Sequence, residues 1–258
     1  MARIGFLGTG EIASAMVNTI AADGHAILVS ERNEQVSADL ERRFAGVTRA
    51  ANQTVVGDSD IVVVCLLADV ARDVLPTLPF RADQTVISVM AGMQVAEVEQ
   101  LCAPARDLCV AIPLPPMPAG GAPMAVFPQN PTLTAVFGPH ATIHPCDGEV
   151  ALNAHFAATG LLLPLLDQID VTARWLAAFT GDRGAAEAYL AGLLGGYCTL
   201  LSENANLDLA TLRGGLSTEG GLNQTLSEVL ADSGTHAALE AGLDGFRKRL
   251  GLPPEDEQ

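Results

Sequence analysis

Through the first half of the chain, short runs of apolar residues alternate with longer stretches in which apolar positions recur every three or four residues. The runs Arg3 to Leu7, Ala26 to Ser30, Asp60 to Leu66, Gln84 to Val89 and Asp107 to Ile112, with a weaker one near Val47, predict strands. The stretches between them predict helices. In Glu11 to Asp23, the side chains of Ile12, Met16, Val17 and Ile20 share one face, and Gly24 follows as a residue suited to a left-handed stop. Strands alternating with amphipathic helices make βαβ units, so an α/β domain with a doubly wound parallel sheet is expected.

The texture changes after Ile112. Pro113, Pro115, Pro116, Pro118 and Pro123, with Gly120 and Gly121, argue against a regular helix or a central strand. They predict either a surface linker or a stiffened loop over the crevice at the carboxyl edge of the sheet. Beyond about residue 148 strand patterns vanish, and Ala/Leu/Gly helices run to Leu250. The expected division is residues 1–148 for the α/β domain and 149–258 for an all-helical domain. Within the latter, Ala185 to Asn204 carries Gly192, Gly195 and Gly196 among leucines and alanines. Small residues let helix backbones approach closely, so burial on more than one side is expected. A half this apolar is expected to dimerise, completing its core against a second subunit as a homodimer or higher homo-oligomer; a self-contained bundle is the alternative.

Composition narrows the function. With 258 residues, 49% hydrophobic and 17% charged, the chain can bury a core and disorder is excluded as a general description. A formal charge of −16 and only 4% aromatic residues argue against a nucleic-acid partner. The five cysteines form no C-x-x-C pair, their number is odd, and no charged-then-apolar leader precedes the first strand, which points to the reducing cytoplasm. The longest apolar stretch, Ala188 to Leu201, is broken by glycines and falls short of the roughly 20 residues that span a bilayer, so no membrane partner is expected. His140 and His144, with Cys146 and Asp147 behind them, are flanked by Pro139 and Pro145, which break any helix that would align them; no metal site is expected. The single lysine, Lys248, lies near the chain end, which disfavours mechanisms built on a buried lysine.

Chemistry concentrates at the first strand. Arg3 to Ala13 reads as strand, then G-x-G-x-x-A over Gly8, Thr9, Gly10, Glu11, Ile12 and Ala13, then helix. Gly8 permits the tight turn, Gly10 lets the backbone approach a pyrophosphate, Ala13 allows close helix packing, and the helix start offers unpaired N–H groups to the anion. In this strand–turn–helix setting the motif predicts a Rossmann-type dinucleotide site. The second strand ends Val29-Ser30-Glu31-Arg32-Asn33, with Ser30 where an NAD site usually has an acid. Arg32 and Asn33 offer guanidinium and amide groups to an extra phosphate, so NADP(H) is expected over NAD(H), unless Glu31 turns inward.

Three segments carry a family likeness: Ile61-Val62-Val63-Val64-Cys65-Leu66-Leu67, Thr85-Val86-Ile87-Ser88-Val89-Met90-Ala91-Gly92-Met93, and Ser217-Thr218-Glu219-Gly220-Gly221-Leu222-Asn223. In order and spacing they resemble pyrroline-5-carboxylate reductase over nearly the whole chain. The resemblance implies a nicotinamide domain, a helical dimerisation domain and NADPH-dependent reduction of a cyclic imine carboxylate to L-proline, a small-molecule substrate. It places Asn52 at a cofactor contact, Leu66 and Leu67 along the cofactor groove, and Ala91, Gly92 and Met93 beside the nicotinamide. It assigns Thr218, Gly220, Gly221, Leu222 and Asn223 to the substrate carboxylate. Physically, the N–H groups of Gly220 and Gly221 precede a helical run and are expected to converge on an anion.

The chain departs from the family in three places. Ile112-Pro113-Leu114-Pro115-Pro116 replaces a loop containing an asparagine, Leu67-Ala68-Asp69-Val70 replaces a lysine-proline pair, and Glu219 and Asn223 replace a proline and a threonine. Asn223, at the candidate catalytic position, donates a hydrogen bond but cannot relay a proton as a hydroxyl does. A protonated imine tolerates that loss, because its carbon is already electrophilic. Two other readings stay open: an NADP-dependent reductase of another imine or a carbonyl compound, of the hydroxyacid-dehydrogenase type, and a non-catalytic NADP-binding sensor.

Overall fold

The computed structural model describes residues 1–254. Its sheet begins with six parallel strands: β1 (Arg3–Leu7), β2 (Ala26–Ser30), β3 (Val47–Ala50), β4 (Ile61–Val64), β5 (Thr85–Ser88) and β6 (Asp107–Ile112). Helices α1 (Glu11–Ile20), α2 (Glu34–Arg43), α3 (Asn52–Gly57), α4 (Ala68–Val74) and α5 (Val95–Leu101) connect them. Then β7 (Ala122–Phe127) runs antiparallel to β6, and β8 (Ala141–Pro145) follows α6 (Pro131–Phe137) parallel to β7. The order is β3-β2-β1-β4-β5-β6-β7-β8, a doubly wound sheet of the Rossmann type.

Strand β4 shows why its sequence is an unbroken apolar run. Ile61 and Val63 face a cluster built with Met16, Val17 and Ile20 of α1, whereas Val62 and Val64 face one built with Val55 and Val56 of α3, Ala71 of α4 and Val98 of α5. A parallel strand covered on both faces has no solvent side to make polar. Each buried aliphatic side chain contributes about 1.5–3 kcal/mol, so the sheet is a rigid base for the loops at its carboxyl edge.

Two expectations are corrected. The proline-bearing region after Ile112 contains β7, and Pro123 stands inside it. Pro123 is tolerated because β6 pairs only with Ala125, Val126 and Phe127, so on that side no ladder partner faces the missing amide. Helix α1 ends at Ile20 rather than Asp23, and the chain turns out through Gly24 at φ +78°.

The chain packs as two units. Met1–Ala157 joins with the segment from Arg247 onward, and Ala158–Phe246 forms the other. The first takes in most of α7 (Glu149–Thr159) and the short α13 (Arg247–Leu250). The second is α8 (Leu162–Thr180), α9 (Arg183–Glu203), α10 (Leu209–Leu216), α11 (Leu222–Asp232) and α12 (Thr235–Asp244). The expected all-round burial of α9 is not met within one chain: Ala186 is its buried residue, and a Cβ on Gly192, Gly195 or Gly196 would meet nothing within 4 Å. Its main neighbour is α8, which covers one flank alone. By length and composition the stretch Glu149–Thr180 is apolar enough to cross a membrane. It is two helices, however, and α8 carries Asp167, Asp170 and Arg174.

Candidate functional site

The sheet changes direction of growth between β1 and β4, and the loops leaving their carboxyl ends part there. Gly8 leaves β1 at φ +89°, and a Cβ on it would lie 2.5 Å from the Cys65 carbonyl oxygen, so the turn needs glycine for both conformation and space. Gly10, the N-cap of α1, is different: a Cβ there meets nothing within 4 Å, and no side chain caps the helix. The first-turn N–H groups of α1 are therefore left without a side-chain partner at its positive end.

The turn is tied to the end of β2. Gly8 N–H donates to Ser30 Oγ at 2.8 Å, the Thr9 hydroxyl donates to the Ser30 carbonyl, and the two hydroxyl oxygens are 3.1 Å apart. Ser30 is buried. Its side chain holds the glycine turn rather than facing a ligand. Ser30→Ala is expected to lower unfolding free energy by about 1–3 kcal/mol, the penalty for a buried donor left without its acceptor. An unchanged urea midpoint would show that the turn stands without this bond.

A cavity of about 510 Å³ opens over the turn. Its lining brings together Gly8, Thr9 and Gly10, then Arg32 and Asn33 from the end of β2, then Leu66 and Leu67 after β4. Arg32 is exposed and makes no hydrogen bond or ion pair among the described residues. Asn33 Oδ1 caps α2 by accepting from Val36 N–H at 3.3 Å, which leaves its amide N–H₂ for a ligand. Three lining residues were not read from the sequence: Glu34, Cys65 and Val70. The carboxylate lining the cavity is thus Glu34, the first residue of α2, and not Glu31. A signal existed in the helical phase after Asn33, since a capping asparagine fixes where the first turn begins.

Other expected residues lie outside this lining. Glu11 is exposed, Ile12 packs against the core, and Asn52 opens α3 with Ala51 as its N-cap. Ala91 and Gly92 are exposed just past β5, Gly92 at φ +76°, while Met93 turns into the core beside Val98. Because β5 pairs with β4 up to Ser88, the Ala91 to Met93 segment leaves the same sheet edge as Leu66.

In the helical unit, Ser217 to Gly221 joins α10 to α11, which Leu222 and Asn223 open. The expected role for the Gly220 and Gly221 amides is corrected. Gly220 N–H donates to Gln224 Oε1 at 3.1 Å, and Gly221 N–H donates to the Thr218 carbonyl at 2.8 Å. Both donors are taken, one by Gln224 in the first turn of α11 and one by the loop itself, so neither converges on an anion. Leu222 projects into solvent at 91% exposure. Asn223 lines a cavity of about 490 Å³ with Arg213, Ser217, Gln224 and Ser227.

Comparison with known proteins finds similarity in both sequence and fold. Over 196 residues the chain is 26% identical to pyrroline-5-carboxylate reductase 2 of Bacillus subtilis, covering 74% of this chain and 64% of that protein. The fold matches 1-pyrroline-5-carboxylate reductase from Streptococcus pyogenes with a TM-score of 0.82, at 17% identity over 97% of this chain and 99% of the other. In sequence and fold the chain is similar to pyrroline-5-carboxylate reductases. The Plasmodium falciparum pyrroline carboxylate reductase solved with NADP bound superposes with a TM-score of 0.81 at 15% identity, covering 96% of this chain and 97% of the other. Residues 3–92 also match the family described as NADP oxidoreductase coenzyme F420-dependent, which takes in β1 to β5 and the whole glycine-turn cavity. The chain spans slightly under two thirds of the Bacillus reductase.

Proposed function

We propose that the protein is an NADPH-dependent reductase of a cyclic imine carboxylate, of the kind that converts 1-pyrroline-5-carboxylate to L-proline. One observation carries the reading: a glycine turn with open space beside Gly10, under an uncapped helix start, shares a cavity with an arginine that has no acidic partner. Such a cavity suits a pyrophosphate at the helix end and a ribose phosphate at Arg32. The amide of Asn33 adds a donor to that phosphate, and Leu66 and Leu67 give the groove an apolar wall. The Ala91 to Met93 segment, at the same sheet edge, would run beside the nicotinamide ring. When bound, the reduced nicotinamide supplies a hydride.

The chain's remaining task is alignment. An imine protonated before it binds accepts hydride at carbon while its π pair returns to nitrogen, so no side chain has to donate a proton. Asn223 suits such a site, since its amide can orient the ring nitrogen or carboxylate by hydrogen bonding. The helical unit would bring two chains together as a homodimer. Trp175 and Phe179 of α8, in contact with ring centroids 4.9 Å apart, remain 66% and 74% exposed, as an apolar face awaiting a second subunit would be. Five free thiols suit a reducing cytoplasm.

The test is NADPH consumption across 1-pyrroline-5-carboxylate, its six-membered homologue and a set of keto acids. The expected result is a kcat/KM for the five-membered imine at least about tenfold above that for any keto acid, a margin within reach of pocket discrimination. Faster turnover of a keto acid would assign the carbonyl reading instead. Tight NADPH binding with no oxidation by any compound would make the protein a sensor.

A further inference from the structure

The loop that joins α10 to α11 lacks the anion donors its glycines were expected to supply, because Gln224 and the Thr218 carbonyl occupy them. A carboxylate held in this region must therefore find its positive charge in a side chain. The helical unit offers few. Arg174 pairs with Asp170 at 3.1 Å, and Arg183 pairs with Asp170 and, at 2.7 Å, with Glu187. Arg213, near the end of α10, is the remaining arginine of that unit, and among the described residues it has no carboxylate or carbonyl partner. Acidic residues outnumber basic ones heavily in this segment, so a guanidinium left without one of them is conspicuous.

Arg213 also faces a built space. It lines the 490 Å³ cavity with Ser217, Asn223 and Ser227, whose side chains make no hydrogen bonds among the described residues. Gln224, by contrast, is committed on both sides, accepting from Gly220 N–H and donating to Glu228 Oε1 at 2.9 Å. The cavity thus combines one uncompensated cation with two hydroxyls and an amide, and no acid lines it. That combination matches a small carboxylate: a planar guanidinium takes both oxygens side by side, and neutral donors serve the lone pairs that remain.

We propose that Arg213 anchors the carboxylate of the substrate, with Asn223 as its neutral companion, in place of the two glycine amides. This rests on the reading of the protein as an imine carboxylate reductase. Arg213 is then a specificity-determining residue. It selects ring compounds that carry a carboxylate over those that do not.

The experiment compares wild type, Arg213→Gln and Arg213→Lys at saturating NADPH, with 1-pyrroline-5-carboxylate and with 1-pyrroline, which lacks the carboxylate. Arg213→Gln is expected to raise KM for the carboxylate by about tenfold or more, as the loss of a charge-assisted bidentate pair implies, with a smaller change in kcat. KM for 1-pyrroline is expected to stay as in wild type, and Arg213→Lys to recover part of the loss. Equal effects on both imines, or no rise in KM, would overturn the assignment while leaving the proposed activity intact. If wild type reduces no imine, the proposed activity fails, and Arg213 is judged by calorimetry with tetrahydro-2-furoate, a ring carboxylate that cannot be reduced. Binding to wild type that weakens about tenfold in Arg213→Gln supports the anchor. No binding to wild type, or equal binding to both, overturns it.

Discussion

Gly8→Ala is expected to remove NADPH binding and to destabilise the fold together, whereas Gly10→Ala is expected to remove binding and leave the fold intact. At Gly8 the backbone sits at φ +89°, where an L side chain costs about 1–2 kcal/mol. The added methyl would also lie 2.5 Å from the Cys65 carbonyl and 2.9 Å from Leu66 Cδ2, forcing β1 and β4 apart at the edge that holds the cavity. Overpacking of that kind adds about 1–3 kcal/mol, so a total loss of about 2–5 kcal/mol is expected. Gly10 has an ordinary φ of −94° and nothing of the protein within 4 Å of the new methyl, so thermal unfolding should be unchanged within about 0.5 kcal/mol. The space that methyl would fill is where the pyrophosphate comes closest. Calorimetric titration with NADPH beside thermal melts of both variants separates the two effects. Full binding by Gly10→Ala would mean that the dinucleotide does not lie along this turn.

Arg32→Ala is expected to weaken NADPH about tenfold to a hundredfold and NADH by less than about threefold. The estimate is that of a charge-assisted hydrogen bond from a guanidinium to a phosphate, about 1.5–3 kcal/mol, present for one coenzyme and absent for the other. Because Arg32 is exposed and makes no hydrogen bond or ion pair among the described residues, its removal is expected to leave stability unchanged within about 0.5 kcal/mol. Glu34 in the same cavity opposes the extra phosphate, so the preference of the wild type is a contest between two side chains from adjoining ends of β2 and α2. Equal weakening of both coenzymes would assign Arg32 to the shared part of the dinucleotide and cancel the preference.

Much of this architecture could be read before any coordinates, and the reason is locality. The bounds of β1, β2 and β6 follow from apolar runs buried on both faces, and the glycine turn follows from residues whose conformational needs are their own. Reading failed where a distant partner decides. Strand β7 was hidden by Pro123, whose acceptability depends on how far the β6 ladder reaches. The roles of Gly220 and Gly221 were misjudged because their amides answer to Gln224, a turn further on, and to a carbonyl behind them. Ser30 stood where a ribose contact was expected, but its hydroxyl is used by Gly8 across the sheet edge. Arg213 offered no motif at all. Its interest comes from the company its neighbours keep, since every other arginine in that unit is paired.

The return of the chain at Arg247 shapes how the protein comes into being. Leu250 is buried, and its carbonyl accepts from Asn153 Nδ2 at 2.9 Å, so a piece of the first unit arrives only after the entire helical unit has been synthesised. On the ribosome the sheet can assemble early, yet the segment that completes its unit is made only after residues 158–246 have been synthesised. Nascent chains halted before that point would carry an unfinished nucleotide domain, exposed to proteases at a seam that the complete polypeptide closes.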